Sequence, residues 1–295
     1  MRLKDLETYL EVIQCGSFSE AAKKIGVSQS AVSQQITALE NEFSTNLIIR
    51  GIPGVLSLTP TGEVFFTHAK KIFEEYQALQ NDIAITQKSV KGSLSLGASA
   101  IPGNYLLPEI IIAFREQYPD VDIRLNVANT RDITKKIFNG ECEIGFIGAA
   151  REHSGYQTKV WVEDRILLAV HPKHPFATKK SITISDLKDQ PLILREEGSS
   201  TRQTIERSLS ESGLPISECK VVLVLGSTQG VVNAIKKGLG IGFISSFASQ
   251  TADLVEVKID DLLLTRNLYV VYDSERANTF LHQTFLEFIH TWPMS

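Results

Sequence analysis

The stretch Ser17–Phe43, SFSEAAKKIGVSQSAVSQQITALENEF, decides how the first part of the chain folds. Ser17 can cap a first helix, and Glu20, three residues later, completes the pattern of a capping box. Gly26 stands where the chain must reverse, because glycine takes a positive φ without strain. Ser28 can cap a second helix, along which apolar residues recur at spacings of four, three and four: Val32, Ile36, Leu39 and Phe43. The stretch therefore predicts two short helices joined by a tight turn.

The opposite face of the second helix is short, polar and uncharged. Its side chains are those of Ser30, Ser33, Gln34 and Thr37, and Gln29 lies beside them in the first turn after the cap. A recognition helix in the major groove needs side chains that donate and accept towards base edges, as glutamine and serine do. The stripe therefore favours a helix-turn-helix that binds double-stranded DNA through these residues. The alternative is a solvated polar face on an ordinary amphipathic helix.

Length and composition restrict the class of protein. At 295 residues, the chain is longer than one hydrophobic core usually supports, so two or more domains are expected. No apolar run approaches the roughly 20 residues that span a bilayer, and the charged N-terminal turns are unlike a signal peptide. The three cysteines, Cys15, Cys142 and Cys219, are far apart and predict neither a disulfide framework nor a zinc site. We therefore expect a cytoplasmic protein with no membrane partner.

The charge balance restricts how the chain would hold DNA. Its formal net charge is −4, and residues 1–60 contain five basic and six acidic side chains. Neutralisation of phosphates by basic residues supplies most non-specific DNA affinity. A nearly neutral binder must instead rely on dimeric docking, helix N-termini and a few well-placed cations.

The residues around this helix pair predict a winged helix-turn-helix domain over residues 1–59. Residues 1–14 are expected to form a first helix with one apolar side, made of Leu3, Leu6, Leu10 and Ile13. Two β-prone runs flank the glycine- and proline-containing turn 51–55, which indicates a hairpin, the wing. Arg50 is the cation beside that turn, and we expect it to reach a phosphate or the minor groove.

A long helix is expected over residues 60–88. Thr59 followed by Pro60 supplies a capping hydroxyl and a proline at the first helical position. Apolar residues then recur with heptad spacing: Phe65, Ala69, Ile72, Tyr76, Leu79 and Ile83. We interpret this seam as the dimerisation surface, since paired half-sites are read by two-fold dimers. The alternative is packing against the chain's own body.

Beyond a polar linker, the pattern changes to alternating strands and helices. Strands are expected at 94–97, 121–127, 144–147, 166–170, 191–194, 220–225, 241–244 and 268–272. Strands that alternate with helices predict parallel sheets covered by helices, hence an α/β domain over residues 92–295. We expect lobe I at about 92–164 and 268–295, and lobe II at about 165–267, with a cleft between them.

Small polar residues follow several of these strands, where ligands bind in doubly wound lobes. The candidate ligand-binding residues at four junctions are Ser99, Ala100, Asn129, Thr130, Ser199, Ser200, Thr201, Ser227 and Thr228. Converging helix N-termini favour an anion, and Arg202 can add a charge-assisted fork. The alternative for each Ser or Thr, taken singly, is a plain N-cap.

Other features favour ordinary structural roles. Glu196 and Glu197 are expected to be a solvated pair, since adjacent strand residues point apart. His171 and His174 flank a proline with no third metal ligand nearby in the sequence. No nucleophile elbow or phosphate loop appears in the sequence, so we expect neither an enzyme nor a cofactor.

Taken together, these residues resemble the LysR-type transcriptional regulators over essentially the whole chain. The matching residues are Leu6 and Phe18 with GSFSEAA, then VSQSAVSQQITALE, Leu47, Arg50, Leu58-Thr59 and Gly62. The second half looks like that family's effector-binding domain, which resembles periplasmic solute-binding proteins. Residues 194–202, LREEGSSTR, are similar to the subgroup that regulates sulfur assimilation and carbon fixation.

The resemblance also has departures. The segment from Arg50 to Leu58 is one residue longer than the family's commonest wing, and Ile52-Pro53 stand where many members have a basic residue. Ile48 stands where the family often has phenylalanine, which changes packing only.

The resemblance implies a ligand-responsive bacterial regulator that binds promoter DNA as a homodimer or homotetramer. A small-molecule effector in the cleft would shift its DNA-binding mode, and RNA polymerase would be a partner if the chain is an activator. The alternative is a small-molecule sensor or solute-binding protein whose helical N-terminus serves assembly only.

Overall fold

The computed structural model describes residues 1–49, 56–87, 89–150, 153–250, 252–274, 277 and 279–293. The chain forms two compact units, Met1–Ser89 and Val90–Ser295. Within the described residues, no helix is long and apolar enough to cross a membrane.

The first unit contains three short helices, a small hairpin and one long helix. Their bounds are α1 Leu3–Cys15, α2 Phe18–Ile25, α3 Gln29–Glu42, β1 Ile48–Ile49, β2 Ser57–Leu58 and α4 Pro60–Gln87. Strand β1 pairs antiparallel with β2, and Ile48 lies opposite Leu58. The predicted wing turn, residues 51–55 with Arg50 beside it, lies outside the described residues.

The turn between α2 and α3 follows the predicted capping pattern, with one exception. The Ser17 hydroxyl accepts the Glu20 N–H, and the Ser28 hydroxyl accepts the Ala31 N–H at 3.2 Å. Gly26 has φ +77°, the left-handed conformation that favours glycine. The Glu20 carboxylate bonds to the Lys23 ammonium at 2.8 Å, so the side-chain half of the expected capping box is replaced by a surface ion pair.

The core of the first unit differs in detail from the predicted apolar faces. In α1 the fully buried hydrophobic residues are Leu6, Tyr9 and Val12, whereas Leu3 is 38% exposed. In α3, Val32, Ile36 and Leu39 are buried as expected, but Phe43 at the helix end is 46% exposed and stacks edge-on against Phe65. The core is completed by Ala21, Ala22, Leu47, Ile48 and Ala69.

The second unit is built on one continuous row of nine strands. Their bounds are β3 Gly92–Ser99, β4 Val121–Ala128, β5 Ile144–Ile147, β6 Tyr156–Val170, β7 Leu192–Arg195, β8 Val221–Leu225, β9 Ile241–Ser245, β10 Val255–Val257 and β11 Thr265–Asp273. The order is β4-β3-β5-β11-β6-β9-β7-β8, with β10 beside β6. Strands β3, β4 and β5 are parallel, as are β7, β8 and β9.

Helices cover this row of strands and divide it into two lobes. Their bounds are α5 Leu107–Gln117, α6 Thr130–Phe138, α7 Ser200–Glu211, α8 Thr228–Lys236, α9 Ser246–Ser249 and α10 Phe280–Thr291. One core lies around β3, β5, α5 and α10, and the other lies around β7, β9 and α7. The antiparallel strands β6 and β11 run through both lobes and connect them.

Two predicted elements in this unit are longer or more irregular than expected. The predicted strand 166–170 is only the buried end of β6, whose first eight residues mix exposed and half-buried side chains and so lack a strong hydrophobic pattern. The sequence also predicts a helix from about Pro102 to Gln117, and this helix begins with a π-helical turn, Pro102–Leu106, before α5.

Candidate DNA-reading surface and ligand cleft

The polar stripe of α3 lies on an open, concave part of the first unit. This surface is lined by Ser30, Ser33, Gln34, Thr37, Ala38 and Asn41. Gln29 lies outside that concavity as the exposed first residue of α3. The predicted stripe omitted Ala38 and Asn41, although each follows Gln34 or Thr37 by four residues on the same helical face. The surface therefore runs the length of α3.

Helix α3 is fixed to its neighbours by polar contacts on other faces. Thr8 of α1 donates its hydroxyl to the Gln35 side-chain oxygen at 2.9 Å. The buried Glu40 carboxylate accepts the backbone N–H of Leu47 at 2.9 Å and of Ile48 at 3.3 Å. Glu40 is one of the six acidic residues that make the first 60 residues nearly neutral. Its carboxylate is buried and binds the backbone at the start of the hairpin.

The heptad seam of α4 has two parts with different surroundings. Ala69 is fully buried and Phe65 stacks edge-on against Tyr9, so both belong to the core of the first unit. This corrects their assignment to a dimerisation surface. Further along the helix, Ile72, Leu79 and Ile83 are 46%, 55% and 48% exposed, and Tyr76 is half-buried.

In the second unit, seven predicted ligand residues surround one small cavity between the lobes. They are Ser99, Ala100, Asn129, Thr130, Ser199, Ser200 and Thr201, and Ile101, Arg195 and Arg266 complete the lining. The cavity has about 10 Å³ of free space, close to the minimum for one water molecule. The structure therefore shows a nearly closed cleft.

Three predicted residues do not line this cavity. The Arg202 guanidinium donates to the Glu206 carboxylate at 2.7 Å and to the Arg195 carbonyl at 3.3 Å, which corrects its expected role as an anion fork. The exposed Ser227 caps α8 by accepting the Gly230 N–H at 3.0 Å. Thr228 is buried, and its hydroxyl accepts a hydrogen bond from the Arg195 guanidinium.

Two arginines that the prediction missed, Arg195 and Arg266, line the cleft. Arg195 ends the buried strand β7 and is 5% exposed. Its guanidinium donates to both oxygens of Glu196, at 2.8 and 2.9 Å, and to the Thr228 hydroxyl at 2.6 Å. Glu196 is thus a partner of Arg195, not a solvated residue as expected. The sequence signal that could have identified Arg195 is its position as the charged last residue of an otherwise apolar strand.

Arg266 lies on the connecting strand β11 and is 8% exposed. It donates two hydrogen bonds to Asp164 of β6, at 2.9 and 2.7 Å, and Asp164 also accepts the Ser245 hydroxyl at 2.6 Å. Burial lowers the pKa of the Arg266 guanidinium from its ordinary value, and the Asp164 carboxylate opposes that shift. The pair forms a buried ionic link between the two connecting strands.

The same arginine takes part in contacts that join the lobes. Thr130 of lobe I donates to the Ser200 hydroxyl of lobe II at 3.1 Å, and Arg266 donates to Ser200 at 3.1 Å and to Thr201 at 3.0 Å. We call these four residues the cross-lobe clasp. Gly148 packs directly against it, since a Cβ there would clash with the Ser200 hydroxyl oxygen.

The helix N-termini at the strand ends differ in how they are capped. The Asn129 side chain accepts the Asp132 N–H at 2.9 Å, and Ser227 caps α8, so at these two junctions the plain N-cap alternative describes the side chain. Ser199 precedes α7 but makes no side-chain cap. The first-turn N–H groups of α7 therefore have no side-chain acceptor among the described residues and lie at the cavity.

Two histidines and the three cysteines have no role in either candidate site. His171 and His174 accept the backbone N–H groups of Lys173 and Phe176. Among the described residues, no three His, Cys, Asp or Glu side chains are grouped so as to hold a metal ion. Burial raises the pKa of the Cys15 thiol to about 11 and also raises the pKa of the other two cysteines, which makes all three poor nucleophiles.

Comparison with protein families matches both units. A family model described as the LysR substrate binding domain matches residues 87–293. A second, described as a bacterial regulatory helix-turn-helix protein of the lysR family, matches residues 3–63. The second match is to a regulatory DNA-binding domain, and so decides against an N-terminus that serves assembly only.

Two curated proteins align with nearly the whole chain. The chain is 30% identical to the uncharacterized HTH-type transcriptional regulator MJ0300 of Methanocaldococcus jannaschii, over 98% of both chains. It is 29% identical to the HTH-type transcriptional regulator CysL of Bacillus subtilis, over 96% of this chain and 91% of CysL.

Solved structures share the fold. A full-length OxyR variant from Pseudomonas aeruginosa aligns with a TM-score of 0.70 over 98% of this chain and 96% of the OxyR chain, at 21% identity. The regulatory domain of Synechocystis PCC6803 CcmR, solved in complex with 2-PG, aligns with a TM-score of 0.63 over 68% of this chain and 96% of that domain, at 25% identity.

Proposed function

The chain belongs to the LysR family of transcriptional regulators, and we propose that it responds to a small anion that binds between the two lobes of its effector domain. Members of this family are regulators, not enzymes. The family membership carries the general function, DNA binding under the control of an effector domain. The effector, the oligomeric state and the individual site residues are parts of the proposal.

We assign sequence reading to the polar surface of α3. Gln29→Ala and Ser33→Ala are each expected to weaken binding to the specific site by about 1–3 kcal/mol, roughly 5- to 150-fold. The reason is that each variant leaves a base edge without its partner. The measurement is a titration by fluorescence anisotropy with a duplex that the wild-type chain selects from a random library.

A matched variant and a second duplex make this test specific. Gln14→Ala changes an exposed glutamine of α1, outside the concave surface, and should leave binding unchanged. Binding to a duplex of scrambled sequence should change little in any variant, because phosphate contacts supply non-specific affinity. Equal weakening on both duplexes would mean that Gln29 and Ser33 do not read bases.

The anion proposal is carried by the uncapped N-terminus of α7. Free backbone N–H groups and the positive end of a helix dipole favour an anion. Here they meet the hydroxyl groups of the cross-lobe clasp at a buried cavity. Both nearby arginines are already paired with carboxylates, so the N–H groups are the donors that remain for a ligand.

The size of the cleft sets a condition on binding. Its free space of about 10 Å³ is too small for an oxyanion, so the lobes must separate before one can enter. Separation would break the bond from Thr130 to Ser200, and an anion that binds only the wider form would shift the population towards it. This change in lobe arrangement is how we propose that the effector alters DNA binding.

The test is a thermal-shift titration of the full chain against sulfate, thiosulfate, phosphate, 2-PG and acetate, with acetamide as a neutral control. An anion at 100 times its Kd adds about 2.7 kcal/mol, which raises Tm by roughly 5–11 °C for a domain of this size. Ser199→Asp should abolish the shift, because a carboxylate at the N-cap accepts the free N–H groups and repels an anion.

Ser227→Asp is the matched control. It makes the same change at the N-cap of α8, outside the cavity, and should leave the anion-induced shift intact. Stabilisation by acetamide as strong as that by the anions would contradict an anionic effector. So would an anion-induced shift that survives Ser199→Asp.

We also propose that the chain assembles through the exposed part of the α4 seam, which places two α3 surfaces on paired half-sites. If the chain activates transcription, we expect it to contact RNA polymerase.

A further inference from the structure

A second, larger cavity lies on the connecting strands next to the cross-lobe clasp. Its free space is about 570 Å³, within the range of small-molecule sites. It shares Ser200 and Arg266 with the cleft described above and differs from it in its other lining residues. We call it the hinge pocket, because it is lined by both connecting strands and by α7.

The walls of the hinge pocket combine two arginines and one glutamate with neutral polar groups. Ser200, Gln203 and Arg207 follow each other along α7 at spacings of three and four, so they share one helical face. Glu163 of β6 lies opposite Asn267 of β11 in the strand pairing, and both line the pocket.

Of the three charged side chains that line the pocket, Arg266 is paired with Asp164, and the other two are available to a ligand. Arg207 and Glu163 are both exposed, and within the described ranges neither forms an ion pair or a side-chain hydrogen bond. Their neighbours on the same elements are paired: Arg202 with Glu206, and Arg165 with Glu256. Opposite charges that line one pocket without pairing are suited to a ligand that carries both charges.

We propose that the hinge pocket binds a free α-amino acid, with its carboxylate on Arg207 and its ammonium group on Glu163. An arginine fork is suited to a carboxylate, and a carboxylate is suited to an ammonium group. Glu163 disfavours ligands that are only anionic, and Arg207 disfavours ligands that are only cationic. The neutral groups of Gln203 and Asn267 remain for the amino-acid side chain.

Such a ligand would be coupled to the cleft. Ser200 and Arg266 line both cavities, and Ser200 accepts the Thr130 hydrogen bond that must break when the cleft opens, so an occupant of the hinge pocket contacts a residue on which opening depends. Two ligands that bias one conformational equilibrium influence each other's affinity reciprocally.

The experiment screens the full chain by thermal shift against each of the twenty encoded amino acids at ~10 mM. The best binder is then titrated calorimetrically beside its decarboxylated amine and its 2-hydroxy acid. We expect at least one amino acid to bind, and both analogues to bind at least about tenfold more weakly, since each lacks one charge-assisted contact. Arg207→Gln and Glu163→Gln should each lower the affinity for the amino acid at least about tenfold as well.

Matched variants separate this site from other effects. Arg202→Gln and Glu206→Gln remove charges from α7 outside the hinge pocket and should leave amino-acid affinity unchanged. Ser199→Asp, which tests the cleft, should also leave it unchanged, so failure of the anion proposal is distinguishable from failure here. The proposal is overturned if no amino acid binds, if the 2-hydroxy acid binds as tightly as the amino acid, or if Arg207→Gln and Glu163→Gln have no effect.

Discussion

Arg266→Met is expected to lower the free energy of unfolding of the effector domain by about 3–5 kcal/mol. The variant keeps an unbranched side chain but leaves the Asp164 carboxylate, which is fully buried, without its cation. A buried charge that loses its partner costs far more than the pair contributes, because its desolvation is no longer compensated. Among the described side chains, the donor that remains within 3 Å of this carboxylate is the Ser245 hydroxyl, at 2.6 Å.

The measurement is urea unfolding followed by tryptophan fluorescence. The two tryptophans of the chain, Trp161 and Trp292, both lie in the second unit, so the signal reports on that unit alone. The double variant Asp164→Asn with Arg266→Met should recover part of the loss, since it buries no charge. That recovery distinguishes an unpaired carboxylate from a simple packing defect.

Arg165→Met is the control for the loss of an arginine on the same strands. Arg165 is 59% exposed and pairs with Glu256 at 3.3 Å, so its removal should cost at most about 1 kcal/mol. If Arg266→Met cost no more than Arg165→Met, the pair between Arg266 and Asp164 would not be a stabilising link of the hinge.

Most of the fold could be predicted from local signals in the sequence. Ser28 and Gly26 act through residues within three or four positions of themselves, so their roles could be predicted from spacing alone. The parallel strands were found because they are short, apolar and bounded by polar turns. The first part of β6, Tyr156 to Glu163, was missed because its side chains are exposed or half-buried and do not form an apolar run.

The site was less predictable because its residues depend on distant partners. Ser199 and Ser227 look alike in sequence, each preceding a helix, yet only Ser227 caps its helix. Arg266 and Asp164 are 102 residues apart, and only the register of β6 and β11 brings them together. Arg202 was predicted as the anion fork, whereas Arg195, at the end of β7, was not predicted as a site residue.

The α4 seam shows how one sequence pattern can serve two environments. Ala69 and Ile72 belong to the same heptad pattern, but Ala69 is fully buried and Ile72 is 46% exposed. The difference arises because the helix-turn-helix core covers only the first turns of α4. Beyond that core, three large apolar side chains remain about half exposed along one face, which is the pattern of a helix that pairs with another.

Leu79→Lys is therefore expected to dissociate the proposed dimer. Burying one leucine side chain contributes about 1.5–3 kcal/mol, and a symmetric pair of helices loses two, so the dimer weakens by roughly 3–6 kcal/mol or 10²- to 10⁴-fold in Kd. Leu79 is 55% exposed in the single chain, so the substitution leaves the fold of the first unit intact. Analytical ultracentrifugation at micromolar concentration measures the change, and anisotropy with a two-half-site duplex measures its effect on DNA binding.

Ala78→Lys adds the same charge one residue earlier on α4, outside the heptad seam. Because adjacent helical residues point about 100° apart, this lysine should stay in solvent, and the dimer should persist. If both variants dissociate the chain equally, charge repulsion and not the seam accounts for the loss. If Leu79→Lys remains dimeric, the assembly surface lies elsewhere, and the exposed apolar face of α4 does not determine how two α3 helices are spaced on DNA.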